Sequence, residues 1–224
     1  MTYILGDMPA AVDEVLIEKG SRTETATVGH IRHIGFANRE IQNVLGERRT
    51  IAGTAVTLAI PGQDSTLLHH VIQFLRAGDV LCIDRLGDQK HACLGGGVAA
   101  AIVATGCNAV VIDGPCTDVP EIEQYGLSVW CRGTAPITTR IYDVGGSFNV
   151  PVSIGGAVVN PGDLVIADFS GVLIMPPNQA EADVDWALAK MEGEPGSHKK
   201  MLAGERLGAL SGASAKVEAK LKNT

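Results

Sequence analysis

The six residues Ala55-Val-Thr-Leu-Ala-Ile60 form an unbroken apolar or β-prone run that Pro61-Gly62 stops, the pattern of a strand buried on both faces. Ser65 is placed to cap a helix reaching residue 75, Ala77-Gly78-Asp79 ends it, and residues 80–84 read as a second strand. A helix over 97–106, a third strand over 109–113, a short helix over 119–125 and a strand over 128–131 continue the alternation. Such alternation implies parallel neighbours, because a parallel pair needs a crossover long enough to hold a helix. Upstream, apolar residues at three- and four-residue spacing predict helices over 8–19 and 38–45, followed by the short charged run Glu47-Arg48-Arg49. The rhythm changes after Pro151. Four short apolar runs, 152–154, 157–159, 164–167 and 172–175, are separated by Gly155-Gly156, Pro161-Gly162-Asp163 and Phe169-Ser170-Gly171, which predicts antiparallel hairpins added to the same body. A helix over 180–191 and a helical tail over 197–221 follow. No Ser/Pro-rich linker or repeat divides the chain, so the expectation is an α/β protein with mixed sheets in a single domain spanning 1–224.

Composition narrows the function. With 46% apolar residues among 224, the chain can fill a sizeable core, which excludes disorder and a disulfide scaffold. Lys and Arg number 18 against 25 Asp and Glu, a net charge of −7 that argues against nucleic-acid binding, since no basic excess exists to displace counterions from phosphates. Small-molecule or protein partners remain. Cys82, Cys93, Cys107, Cys116 and Cys131 show no C-x-x-C spacing and no signal segment opens the chain, so free, buried thiols in a reducing cytoplasm are expected. Residues 92–112 carry no charge over a length able to cross ~30 Å of hydrocarbon. Glycines open and interrupt that stretch, so a buried helix followed by a buried strand is expected and a membrane span is not.

The densest chemistry lies between Asp84 and Asp118. Gly95-Gly96-Gly97 opens a helix, leaving amide N–H groups without intrahelical partners at the positive end of the helix dipole, where a carboxylate or phosphate can bind; a tight turn packed on the sheet explains the same triplet. G-x-G-x-x-G and the P-loop lysine are absent. Asp113 and Asp118 follow the third strand at what should be a parallel strand's carboxyl end, where open α/β sheets place ligands. Oxygen donors without clustered thiols suit a hard divalent cation, Mg²⁺ or Mn²⁺. Asp113 reads equally as a turn residue before Gly114, and Asp118 as a helix N-cap.

Gly95, then Asp113-Gly114 and Asp118, then Tyr125-Gly-Leu-Ser-Val-Trp130, and later Val150-Pro-Val152, Gly155-Gly156 and Pro161-Gly-Asp163 through Asp168, Gly171 and Pro176, resemble the RraA-like family over roughly residues 25–177. That family includes the 4-hydroxy-4-methyl-2-oxoglutarate / 4-carboxy-4-hydroxy-2-oxoadipate aldolases and the protein regulator of RNase E. The resemblance implies a three-layer β/β/α swivelling-type fold assembled as homotrimers or homohexamers, with sites near subunit boundaries. It further implies retro-aldol cleavage of a 4-hydroxy-2-oxo acid to pyruvate, with oxaloacetate decarboxylation alongside. In it the loop matching Gly95, Gly96, Gly97 and Val98 binds the keto acid, and the residue matching Asp118 carries the metal. The family's carboxylate-binding arginine falls on Thr117, whose neutral hydroxyl makes one hydrogen bond where guanidinium makes a charged, bidentate pair.

Arg85, at the second strand's end, and Arg32 are therefore candidate replacement clamps, and Asp88, His91 and His30 candidate groups for proton transfer or metal ligation, with the Asp64 loop nearby. Asp163 and Asp168 read as turn formers, and Trp130 and Phe148 as core. Two functions of different class follow: a metal-dependent lyase, which Asp118 and the acid/His loop favour, and a non-catalytic RNase E regulator-like interaction protein, which loss of the arginine favours. A metal-dependent enzyme with a changed substrate is a third outcome of Thr117.

Overall fold

The computed structural model describes residues 2–45 and 49–222, so Glu47 and Arg48 of the charged run lie outside the described residues. In chain order, β1 (Tyr3–Leu5), α1 (Glu14–Gly20), α2 (Thr25–Val28), β2 (Gln42–Asn43) and β3 (Ile51–Ala59) lead into α3 (Thr66–Val71), which a 3-10 turn over Ile72–Phe74 extends. Then come β4 (Asp79–Asp84), β5 (His91–Ala92), α4 (Gly96–Val103), β6 (Ala109–Asp113), α5 (Val119–Tyr125), β7 (Ser128–Cys131), β8 (Ile137–Thr138) and β9 (Gly146–Phe148). The chain ends with β10 (Val152–Ile154), β11 (Ala157–Val159), β12 (Leu164–Ala167), β13 (Val172–Met175), α6 (Pro177–Leu202), α7 (Leu207–Leu210) and α8 (Ala213–Leu221).

The central sheet runs β1-β9-β3-β4-β6-β7-β2, with β12 and β13 attached through β3. Its middle, β3-β4-β6-β7, is parallel, whereas β12, β13 and β2 join antiparallel. Pleat alternation divides the parallel strands between two cores. Val56, Leu58, Leu81, Ile83, Val110, Ile112 and Val129 face one way, against Leu67, Leu68 and Val71 of α3, Ala99 and Ile102 of α4, and Ile122 of α5. Ala55, Val80, Cys82, Val111 and Trp130 face the other way, against Val152, Ile154, Ala157 and Val159 of the β10–β11 hairpin. Hairpin, sheet and helices make the three layers, and each fully buried Leu, Ile or Val contributes about 1.5–3 kcal/mol. A third cluster seats α1 and α6 on Leu164, Ile166, Leu173 and Met175. The β10–β11 turn is Gly155-Gly156, at φ of 55° and 80°, a left-handed pair that glycine adopts without strain.

Several sequence expectations shift. The helix expected over 8–19 begins only at Glu14, because the Asp13 carboxylate caps it by accepting from the amides of Val15 and Leu16 at 2.9 and 3.3 Å. The helix expected over 38–45 does not form: the Asn38 and Asn43 side chains accept the amides of Glu40 and Leu45, each at 2.9 Å, and these local bonds compete with helix, leaving β2 free to pair with β7. Ser65 makes no side-chain cap to α3; Asp64 takes that work, accepting from the Thr66 amide and hydroxyl at 3.0 and 2.6 Å. The 92–112 stretch divides into α4 and β6 as expected, and among the described residues no helix is long and apolar enough to cross a membrane. All five cysteines are free and buried. Trp130 and Phe148 are core residues, and Asp163 and Asp168 accept local turn amides, those of Asn160 and of Ser170 and Gly171.

Candidate active site

Beyond the carboxyl ends of β4 and β6 the chain forms a cavity of about 660 Å³, lined by Gly95, Gly96, Gly97, Val98, Thr117 and Asp118 on one side and by Ser65, His69, Gln73 and residues 138–141 on the other. Two loops are brought together there. One enters α4 from β5, and the other leaves β6 for α5. The Thr117 amide donates to Leu94 O at 2.9 Å, and Asp118 Oδ2 accepts the Gly96 amide hydrogen at 3.0 Å. Thr117 Oγ1 lies 3.2 Å from Asp118 Oδ1, orienting the carboxylate from its other oxygen. Asp118 sits in the left-handed region at φ 53°, and Pro120 follows in the first turn of α5. Gly95 is required by close approach, since a Cβ there would fall 2.5 Å from Asp118 Oδ2. The amide of Ala99 is the first in α4 to find its helical acceptor, Gly95 O, which leaves those of Gly97 and Val98 directed out of the helix start.

Asp118 and the 95–98 loop therefore meet, as the sequence suggested. The other expected residues do not join them. The Asp113 carboxylate faces away, held by Arg132 Nε and by the Gly155 amide at 2.7 Å. Arg85 is a correction. It is fully buried, lies across Gly114, and its Nη2 donates to Gly62 O, to Asp88 Oδ2 at 3.3 Å and to His91 O at 3.4 Å, so it presents nothing to the cavity. Among the described residues its Nε and Nη1 have no hydrogen-bond partner. Asp88 and His91 line a neighbouring depression with Asp64 and Tyr142. The alternation of β5 explains this, because His91 faces one side of the β5–β8 ladder and Ala92, which lines the cavity, faces the other. His91 Nδ1 lies 2.8 Å from Asp88 Oδ2. Burial raises the Asp88 carboxyl, but the Lys90 amide, His91 and Arg85 outweigh it and hold the group below its ordinary range. Arg32 forms an ion pair with Asp183 at 2.8 Å beside a separate depression, and His30 does not line the cavity.

Sequence reasoning did not name Arg140 or Gln73, read Ser65 only as a helix cap, and left His69 to surface or core packing. Ser65, His69 and Gln73 had a signal, since they recur every fourth residue, the spacing of one helical face, and lie at the cap of α3, within it and in the 3-10 turn that extends it. Arg140 had none. Its place comes from backbone pairing: its amide donates to Gln63 O at 2.8 Å and its carbonyl accepts the Ser65 amide at 2.9 Å.

No group of three or more His, Cys, Asp or Glu is arranged to hold a metal among the described residues. The cavity offers one carboxylate, Asp118, with the Thr117 hydroxyl beside it. Such a donor set fits a hard ion that keeps most of its water, as Mg²⁺ does, and does not fit a closed zinc cage.

A family model described as RraA-like, Aldolase/RraA, matches residues 15–174. The chain belongs to the RraA-like family. A relative from Halalkalibacterium halodurans named "Putative 4-hydroxy-4-methyl-2-oxoglutarate aldolase" is 31% identical over 61% of this chain, and the chain spans 65% of that relative's length. An Arabidopsis thaliana relative of the same name, numbered 3, is 31% identical over 69% of this chain and 89% of its own. Among solved structures, Streptomyces coelicolor RraAS2, described as an unusual member of the RNase ES inhibitor RraA protein family, matches 86% of this RraA-like chain and 98% of its own with a TM-score of 0.72 at 28% identity. The three-layer arrangement is thus the RraA-like fold.

Proposed function

We propose that this RraA-like protein is an aldolase-type lyase that cleaves a 4-hydroxy-2-oxo acid to pyruvate, with Mg²⁺ or Mn²⁺ held at Asp118. The observation that carries the reading is the convergence of the Asp118 carboxylate and the Gly95–Val98 helix start on one cavity. The names of the relatives support it. A divalent ion, when bound, supplies positive charge against the negative charge that develops on the 2-oxo oxygen. The chain's own residues do the rest. The outward amides of Gly97 and Val98 orient the oxo acid, and Thr117 keeps the Asp118 carboxylate turned to the cavity. Cleavage of the C3–C4 bond requires the 4-hydroxyl proton to leave as that oxygen becomes a carbonyl, and a proton to reach C3 of the pyruvate fragment. His69, an imidazole of the cavity wall, carries this proton traffic.

The test is pyruvate release from oxaloacetate and a panel of branched 4-hydroxy-2-oxo acids with Mg²⁺ or Mn²⁺, together with calorimetric metal titration of wild type and Asp118→Ala. Metal-dependent release and metal affinity that vanish together in the variant support the lyase. A wild type with neither leaves the RNase E regulator-like reading, which the likeness to RraAS2 favours.

A further inference from the structure

The cavity is charged at two points among the described residues, and they are of opposite sign: Asp118 beside the helix start and Arg140 on the facing wall. With an ion on Asp118 serving the 2-oxo group, a substrate carboxylate still needs a charged partner of its own, and Arg85 and Arg32 are both committed elsewhere. Arg140 is built to be that partner. Its backbone is clamped on both sides by Gln63 and Ser65. Its exposed side chain turns back on its own loop, where Nη1 has Thr138 O at 3.1 Å, Thr138 Oγ1 at 2.5 Å and Thr139 O at 3.0 Å as acceptors for its two hydrogens, which orients the guanidinium. No acceptor among the described residues takes Nε or Nη2, the edge that remains for a two-point bond to a carboxylate.

We infer that Arg140 is the specificity-determining anchor for a substrate carboxylate in this cavity, replacing from the opposite wall the cation that position 117 does not provide. The inference rests on the proposal that an oxo acid occupies the cavity. It also restricts the substrate class, because the carboxylate must reach the 138–141 wall while the 2-oxo group stays at Asp118.

The experiment compares wild type, Arg140→Met and Arg140→Lys in steady-state pyruvate release and in calorimetric binding of oxalate to the Mg²⁺-loaded protein, with metal affinity as a control. The expected result is a KM raised about tenfold or more in Arg140→Met, kcat and metal affinity nearly unchanged, and partial recovery in Arg140→Lys. A KM within twofold of wild type in Arg140→Met overturns the anchor and leaves the lyase standing. If the wild type releases no pyruvate from any substrate, the lyase fails and oxalate decides the anchor: weaker binding by about tenfold in Arg140→Met supports it. Equal binding by both proteins, or binding by neither, overturns it.

Discussion

The Gly96 amide hydrogen is bonded to Asp118 Oδ2 across 22 residues of sequence at 3.0 Å, and this one contact ties the start of α4 to the start of α5. Asparagine keeps both the acceptor oxygen and the tolerance for φ 53°, while removing the charge. Asp118→Asn is therefore expected to fold, losing about 2–4 °C in Tm by thermal unfolding. Its divalent-metal affinity should fall beyond calorimetric detection and turnover should drop about hundredfold.

Two neighbouring glycines separate close packing from open space. A methyl group at Gly95 would meet Asp118 Oδ2 at 2.5 Å and Thr117 Cγ2 at 3.0 Å, whereas at Gly97 it would meet nothing within 4 Å. Gly95→Ala should lower stability by about 1–3 kcal/mol and displace the carboxylate. Gly97→Ala should leave stability unchanged or raise it by up to ~1 kcal/mol, as alanine does inside a helix. Urea unfolding of both variants checks the contrast.

His69 faces the cavity and His91 the neighbouring depression. His69→Asn should reduce kcat about hundredfold with KM little changed, and His91→Asn should leave kcat within about threefold. A large loss in His91→Asn with His69→Asn near wild type would return proton transfer to the Asp88–His91 pair.

The acid limb of stability is set in part by Asp64. Burial raises its carboxyl, but hydrogen bonds from the Thr66 hydroxyl and from the amides of Tyr142, Thr66 and Val144 outweigh that and hold it at about 2, against an ordinary 3.8. A carboxyl depressed in the folded state adds stability that is complete above about pH 4 and disappears as pH falls toward 2, a contribution of about 2 kcal/mol. Asp64→Asn should be destabilised by about that much at pH 7 and should lose part of the decline between pH 4 and 2, as urea unfolding across that range would show.

The strands over 109–113 and 128–131 and the helix over 119–125 were legible because their apolar periodicity and glycine or proline punctuation all point the same way. The 38–45 segment was not, since Asn38 and Asn43 satisfy backbone amides locally in a pattern that hydrophobic spacing does not record. The site divided similarly. Asp118 and the glycine triplet stood out by residue type and spacing, whereas Asp88 and His91 were close in sequence to the loop yet lie on the other side of a two-residue ladder.

Sequence alone determined the alternation of buried strands and helices and the thiols kept inside, because both are written in local periodicity and residue type. Only the tertiary structure decided that the Asp118 carboxylate meets the α4 start and which charges share the cavity. Arg85 was buried beneath Gly114 and Arg140 was carried to the facing wall by pairing with residues 63–65. Direction across a strand and pairing between distant segments are set by the packing of the whole sheet, and no residue type announces them.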